Sequence, residues 1–186
     1  RTARPIADQR AYYGSCSDVT IDRDYAYINS ATLSKFFDRT LDVAAEILLR
    51  PAFPETELRT YAAKRKQRLA IDRTKVDVQA REAFARALFG PRHPYGISSD
   101  ESLYDTLTRE DVASFYRRFY TAENCFVVCS GRIGAHELQA VGTLAEQLPH
   151  GSSEAVTAFP PPETVHETFV EHPGAVQSAL RLGRLL

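Results

Sequence analysis

Polar and apolar positions alternate at two periods along this chain, and the switches between them mark its elements. Cys16–Ile21 and Tyr25–Ala31 alternate at period two around Asp22-Arg23-Asp24, which predicts a β-hairpin with a polar turn. From Ser34, read as an N-cap, a helical stripe of Phe37, Leu41, Ala44, Ala45 and Leu48 runs to about Leu49, and Pro51 and Pro54 break it. Glu55 opens a long polar helix to roughly Asp72 with a narrow stripe of Leu58, Tyr61, Ala62, Arg65 and Leu69. A bend or stop at 74–77 precedes a helix of about 78–89 that buries Ala80, Ala83, Phe84, Ala87 and Leu88. Gly90-Pro91 and Pro94 close it. Ahead of the hairpin, residues 1–13 read as the tail of a helix through Ile6, Arg10 and Tyr13, ended by Gly14.

The densest local signal lies between Leu88 and Arg132. Thr108 is an N-cap, and Asp111 closes a capping box three residues on. Leu107 and Val112 are spaced as a hydrophobic staple around that cap. The helix that follows is expected to bury Val112, Phe115, Tyr116 and Phe119, with Arg117 and Arg118 on the wet side. The apolar run Cys125–Cys129, ended by Ser130-Gly131, predicts a strand buried on both faces. A last helix spans Ala135–Leu148 through Leu138, Val141, Leu144 and Ala145. His150–Ser153 and Pro160–Pro162 read as a stiff linker, and Val165–Val170 and Val176–Leu182 as strands. Strands, then helices, then strands predict an α+β fold, a mostly antiparallel sheet with helices packed on one face.

Composition narrows the function classes. The net charge of -1 gives no general pull toward nucleic acid, and no apolar run reaches the length of a membrane span, about 20 residues. The three cysteines, Cys16, Cys125 and Cys129, form no CxxC pair. Cys125 and Cys129 would stand roughly 13 Å apart along a strand, too far for a mutual disulfide. All three are expected as buried free thiols. The chain has no Met and starts Arg1-Thr2-Ala3-Arg4, which predicts an excised or processed piece whose targeting information was lost upstream.

The order of HPYG (93–96), the capped helix TREDVASFYRRFY (108–120) and NCFVVCSG (124–131) resembles the insulinase/pitrilysin family of zinc peptidases, which includes the mitochondrial processing peptidase. LDVAAEILLRPAF (41–53) resembles that family's helix before a P-x-F turn. EHPGAVQSALRLG (171–183) resembles the opening strand of its next domain. The resemblance implies residues 1–149 as most of one peptidase-like domain, 150–163 as a linker, and 164–186 as the opening of the following domain. It also implies a zinc site on an inverted H-x-x-E-H motif, with a Glu ligand on the helix after the P-x-F turn.

Neither part of that site is present. The five histidines, His93, His136, His150, His166 and His172, include no H-x-x-E-H, and His166 and His172 are six apart in a strand-like run. From Arg59 to Ile71 there is no Glu or Asp, and Arg68 or a neighbour falls where the ligand belongs. A cation there repels zinc. The resemblance would place the motif helix upstream of residue 1, but the missing Glu has no such explanation. A noncatalytic domain is therefore the expectation, with no catalytic or metal residue in this chain and zinc only in the full-length parent or its partner. Its partners are a second peptidase-family domain or subunit, fused or separate, and peptide substrate, but not nucleic acid. An active zinc endopeptidase would need a misplaced ligand such as Glu57 or Glu82. A structural or assembly subunit is the other alternative.

Two surface features are candidates for contact with peptide or partner. Lys64, Arg65 and Arg68 belong to the strongest basic run, whose plainest reading is a solvated helix face. His93 and Tyr95 sit in HPYG, where Pro94 fixes one φ and Gly96 permits a tight bend.

Overall fold

The computed structural model describes residues 15–152, 159 and 167–185. The expected helix tail at 1–13 and the Pro160–Pro162 stretch lie outside the described residues. The chain divides into two compact units, residues 1–55 with 108–155 and residues 56–107 with 156–186.

In the first unit, β1 (Cys16–Ile21) and β2 (Ala26–Ala31) form the expected antiparallel hairpin, with Cys16 opposite Ala31 and Ile21 opposite Ala26. The Asp22 carboxylate sets the turn. It accepts the backbone N–H groups of Asp24 and Tyr25 at 2.8 and 2.7 Å and the Tyr27 hydroxyl at 2.8 Å. A 3-10 turn at Ser34–Phe36 leads into helix α1 (Phe37–Leu49). Ser34 does not cap that helix as expected. It sits inside the 3-10 turn, and no side chain caps either Leu33 or Phe36. Thr40 takes over locally, its hydroxyl 3.0 Å from both the Thr32 hydroxyl and the Phe36 carbonyl. The α1 positions expected in the core are half-buried, and Val43 and Thr40 go deepest.

The capped helix forms as read. Helix α5 (Arg109–Phe119) carries the full capping box, with Asp111 N–H donating to Thr108 Oγ1 at 3.1 Å and Thr108 N–H donating to the Asp111 carboxylate at 2.9 Å. The box holds the Asp111 carboxyl below its usual range. The buried side is displaced from the expected stripe: Ala113 is buried, whereas Phe115 is exposed and its ring meets that of Phe119 at a tilt of 40°, centroids 4.5 Å apart. Tyr116 faces inward, its hydroxyl donating to the Leu48 carbonyl at the end of α1 and its ring meeting Phe53 edge-on at 5.7 Å. Helix α6 (Ala135–Glu146) packs on α1, with Leu144 and Leu148 buried and Leu138 exposed.

The second unit holds α2 (Glu55–Arg73), whose first residue belongs to the first unit, together with α3 (Val76–Phe89) and the short α4 (Ser102–Thr106), which the sequence reading did not anticipate. Ala62 and Val78 are its buried apolar side chains among the described residues.

Three strand expectations fail among the described residues, where the sheet has two strands. Cys125–Cys129 forms no strand, with Phe126, Val127 and Val128 exposed by 65, 54 and 80%. Val176–Leu182 forms no strand, and Val176, Leu180 and Leu182 are exposed. The described part of Val165–Val170 is likewise irregular, with Phe169 exposed. The physical reason is common to all three: a strand exists only by pairing, and none of these runs has a pairing partner among the described residues. The three cysteines are free but exposed rather than buried. Cys125 is nonetheless desolvated at its sulfur, which pushes its thiol up and keeps the reactive thiolate scarce. The α+β class itself is what the structure shows: helices with an antiparallel sheet.

Candidate functional site

The basic run on α2 is less free than its sequence suggests. Lys66 Nζ bridges both oxygens of Asp105 at 2.8 and 2.6 Å. Arg68 Nε and Lys75 Nζ both hold Asp72, at 2.9 and 2.7 Å, and together keep its carboxyl below the usual range, the Lys75 bond contributing most. Arg73 binds the Ser99 carbonyl at 2.6 Å. Lys64 and Arg65 are exposed. The predicted patch therefore contracts to Lys64 and Arg65 as charge unengaged among the described residues, with Arg68 tied down beside them. The missed partners, Asp105 and Asp72, are acidic residues placed by folding, and only Arg68–Asp72 and Asp72–Lys75 had a helical spacing that could have revealed them.

His93 and Tyr95 do come together, in a tight turn after α3. Gly90 ends α3 with φ +85, and Gly96 N–H donates to the His93 carbonyl at 2.9 Å. Gly96 lies so close to Gly90 that a Cβ would stand 2.0 Å from the Gly90 carbonyl oxygen. Only glycine fits there. Tyr95 N–H donates to His93 Nδ1 at 3.0 Å. In the neutral ring the proton is therefore on Nε2, and Nδ1 is not available as a base. The His93 ring stacks on Phe89 at 5.2 Å, and Tyr95 stands edge-on to Phe89 and His93, each at 5.1 Å. Phe159 closes against His93 at 4.6 Å. Phe89 and Phe159 were missed because their spacing, 70 positions apart, carries no local signal.

A second cluster, also missed, ties the turn after α5 to the chain leaving α6. Glu123 accepts from Gly151 N–H at 2.7 Å and contacts His150 Nδ1 at 2.8 Å, while Ala122 N–H donates to the Pro149 carbonyl at 2.9 Å. The His150 contact first, then the Gly151 bond, lowers the Glu123 carboxyl to about 2. Elsewhere in the first unit, a groove of about 340 Å³ between α1 and α6 has a floor of Leu41, Ala45 and Leu144, with Asp38 and His136 joined at its rim at 2.9 Å.

Among the described residues, no three His, Cys, Asp or Glu side chains are grouped to hold a metal ion. His172 contacts Gln79 at 3.1 Å, and His166 lies outside the described residues. Arg68, at or next to the α2 position where the resemblance asks for a Glu, is bound to Asp72. No helix among the described residues is long and apolar enough to cross a membrane.

Residues 106–185 match the family model described as the peptidase M16 inactive domain. No curated protein matches the chain. Among solved structures, the chain is similar to the crystal structure of a peptidase M16 inactive domain from Pseudomonas fluorescens. The TM-score is 0.77 and the identity 21%, over 83% of this chain and 39% of that one. The chain thus spans about two fifths of the length of that structure, and the likeness is one of fold. Over residues 106–185 the chain is therefore similar in sequence to an inactive peptidase domain, and over 83% of its length it is similar in fold to a solved one.

Proposed function

We propose that this chain is part of the noncatalytic half of a zinc-dependent peptidase system. In that role it binds peptide and supports an active metallopeptidase partner, with zinc held in the parent protein or that partner. The observation that carries the reading is the match of residues 106–185 to an inactive domain, joined to an α2 stretch from Arg59 to Ile71 that holds no carboxylate. An inactive half contributes by shaping a surface for substrate and partner, so its contact residues are not expected to show catalytic geometry. His93 fits that description, since its Nδ1 already accepts from Tyr95. Lys64 and Arg65 would offer charge to an acidic stretch of peptide or partner. The chain's division into a domain to residue 149, a linker at 150–163 and the start of a further domain belongs to the same proposal.

The test uses the full-length parent protein, purified without added metal. Absence of stoichiometric zinc and of peptidase activity, with cleavage appearing or rising on mixing with an active family member, is the expected result. One zinc per chain, lost together with intrinsic activity on chelation, would overturn it. A zinc-free protein that sits in a stable complex and leaves proteolysis unchanged would favour a structural subunit instead.

A further inference from the structure

We infer that the turn after α3 is a preformed binding pad for an aromatic side chain, and that Phe159 is its internal occupant. The pad consists of Phe89, His93 and Tyr95. Its three rings contact one another at 5.1–5.2 Å, so they form a cluster without any help from Phe159. Its backbone is fixed independently of Phe159 as well. Tyr95 N–H locks the His93 ring, Gly96 N–H closes the turn, and the Gly90–Gly96 approach leaves no room for another arrangement. A site whose geometry does not depend on its occupant loses little order when the occupant leaves.

Phe159 is seated on one side of that pad, its ring tilted 54° to His93 at 4.6 Å, the shortest of the four ring contacts in the cluster. It still keeps 37% of its surface in water. A core phenylalanine would be enclosed. This one lies on the pad as a ligand lies in an open site, with its neighbour Pro160 next in sequence. The ligand class follows from the occupant and its sequence: a peptide carrying phenylalanine followed by proline, the order of Phe159 and Pro160. Aromatic faces and edges recognise such a ring by offset and edge-on contact, and a following proline lowers the entropy lost by the peptide on binding. This deepens the peptide contact proposed for His93 and Tyr95 and rests on it, but it requires no partner protein.

The experiment is direct binding of a fluorescent Ala-Phe-Pro-Pro-Pro peptide to the full chain, without any peptidase present. Phe159→Ala empties the pad and is expected to bind the peptide at least tenfold more tightly than the unaltered chain. Adding Tyr95→Ala to Phe159→Ala is expected to abolish that gain, and a peptide with Ala in place of Phe should not bind. Equal binding by both proteins, or no binding by a Phe159→Ala chain whose near-ultraviolet circular dichroism is retained, would overturn the inference. If Phe159→Ala unfolds, Phe159 is a core residue and the inference also fails. Because no cleavage is measured, failure here leaves the partner reading untouched, and failure of partner activation leaves the pad untouched.

Discussion

The guanidinium of Arg109 donates to the carbonyl of Phe53 at 3.0 Å, and to that of its neighbour Ala52 at 3.3 Å, across more than fifty positions of chain. Phe53 sits at φ +45, where a side chain is normally disfavoured. Its ring is held edge-on by Tyr116, about two turns further along the same helix as Arg109. Helix α5 therefore grips the Pro51–Pro54 turn twice, once by hydrogen bonds and once by a ring. Arg109→Met keeps much of the side-chain stem but removes both donors. It should lower stability by about 1–2 kcal/mol, in line with hydrogen bonds to a charged donor at a solvent-exposed site. A shift in urea midpoint at unchanged slope is the expected observation. An unchanged midpoint would show that the ring alone holds the turn.

Gly96→Ala places a methyl group 2.0 Å from the Gly90 carbonyl oxygen, a backbone atom that cannot swing aside. The turn must open, and a loss of roughly 2 kcal/mol or more is expected. Near-ultraviolet circular dichroism of Tyr95 should change with it. Gly131→Ala is a useful contrast, because no atom lies within 4 Å of the added group and the cost there is set by its φ of +113 alone.

The Glu123 carboxyl is held at about 2 in the folded chain, against an ordinary value of 4.5, first by His150 and then by the Gly151 N–H. A depressed carboxyl contributes stability that is present above about 4.5 and is lost as the pH falls toward about 2. Proton titration followed by nuclear magnetic resonance should give a Glu123 midpoint near 2, with the Gly151 amide reporting the same step. In Glu123→Gln that amide step should vanish, and stability should fall less between pH 4.5 and 2 than in the unaltered chain.

Thr121 is 2% exposed, and its hydroxyl finds no hydrogen-bond partner among the described residues. A buried hydroxyl left unpaired is costly, so the same-shaped Thr121→Val is expected to raise stability by about 1 kcal/mol. Thermal unfolding of the two chains decides it. A lower melting temperature in the valine variant would mean that the hydroxyl is satisfied in solution.

What could be read from the sequence was local. The Thr108–Asp111 box and the Asp22 turn complete their hydrogen bonds within a few residues, so residue type and spacing were sufficient. Ser34 shows the limit even there: a capping residue was present, but the chain entered through a 3-10 turn and put the helix start three residues later. The apolar runs at Cys125–Cys129 and Val176–Leu182 have strand composition, yet pairing is a property of two segments and one segment cannot disclose it. The candidate site divides in the same way. The HPYG turn was legible from its proline and glycine. The ring of Phe159 that lies on it and the Asp105 carboxylate that neutralises Lys66 are far away in sequence, and only folding brings them in.

The uncovered Phe126-Val127-Val128 run also governs how this polypeptide behaves at the bench. Three consecutive bulky apolar side chains in water, outside any strand pairing among the described residues, are a template for another molecule's edge. Handled in isolation, the chain should therefore self-associate as its concentration rises. A charge placed at Val128, the most exposed of the three at 80%, is the simplest remedy for keeping it dispersed.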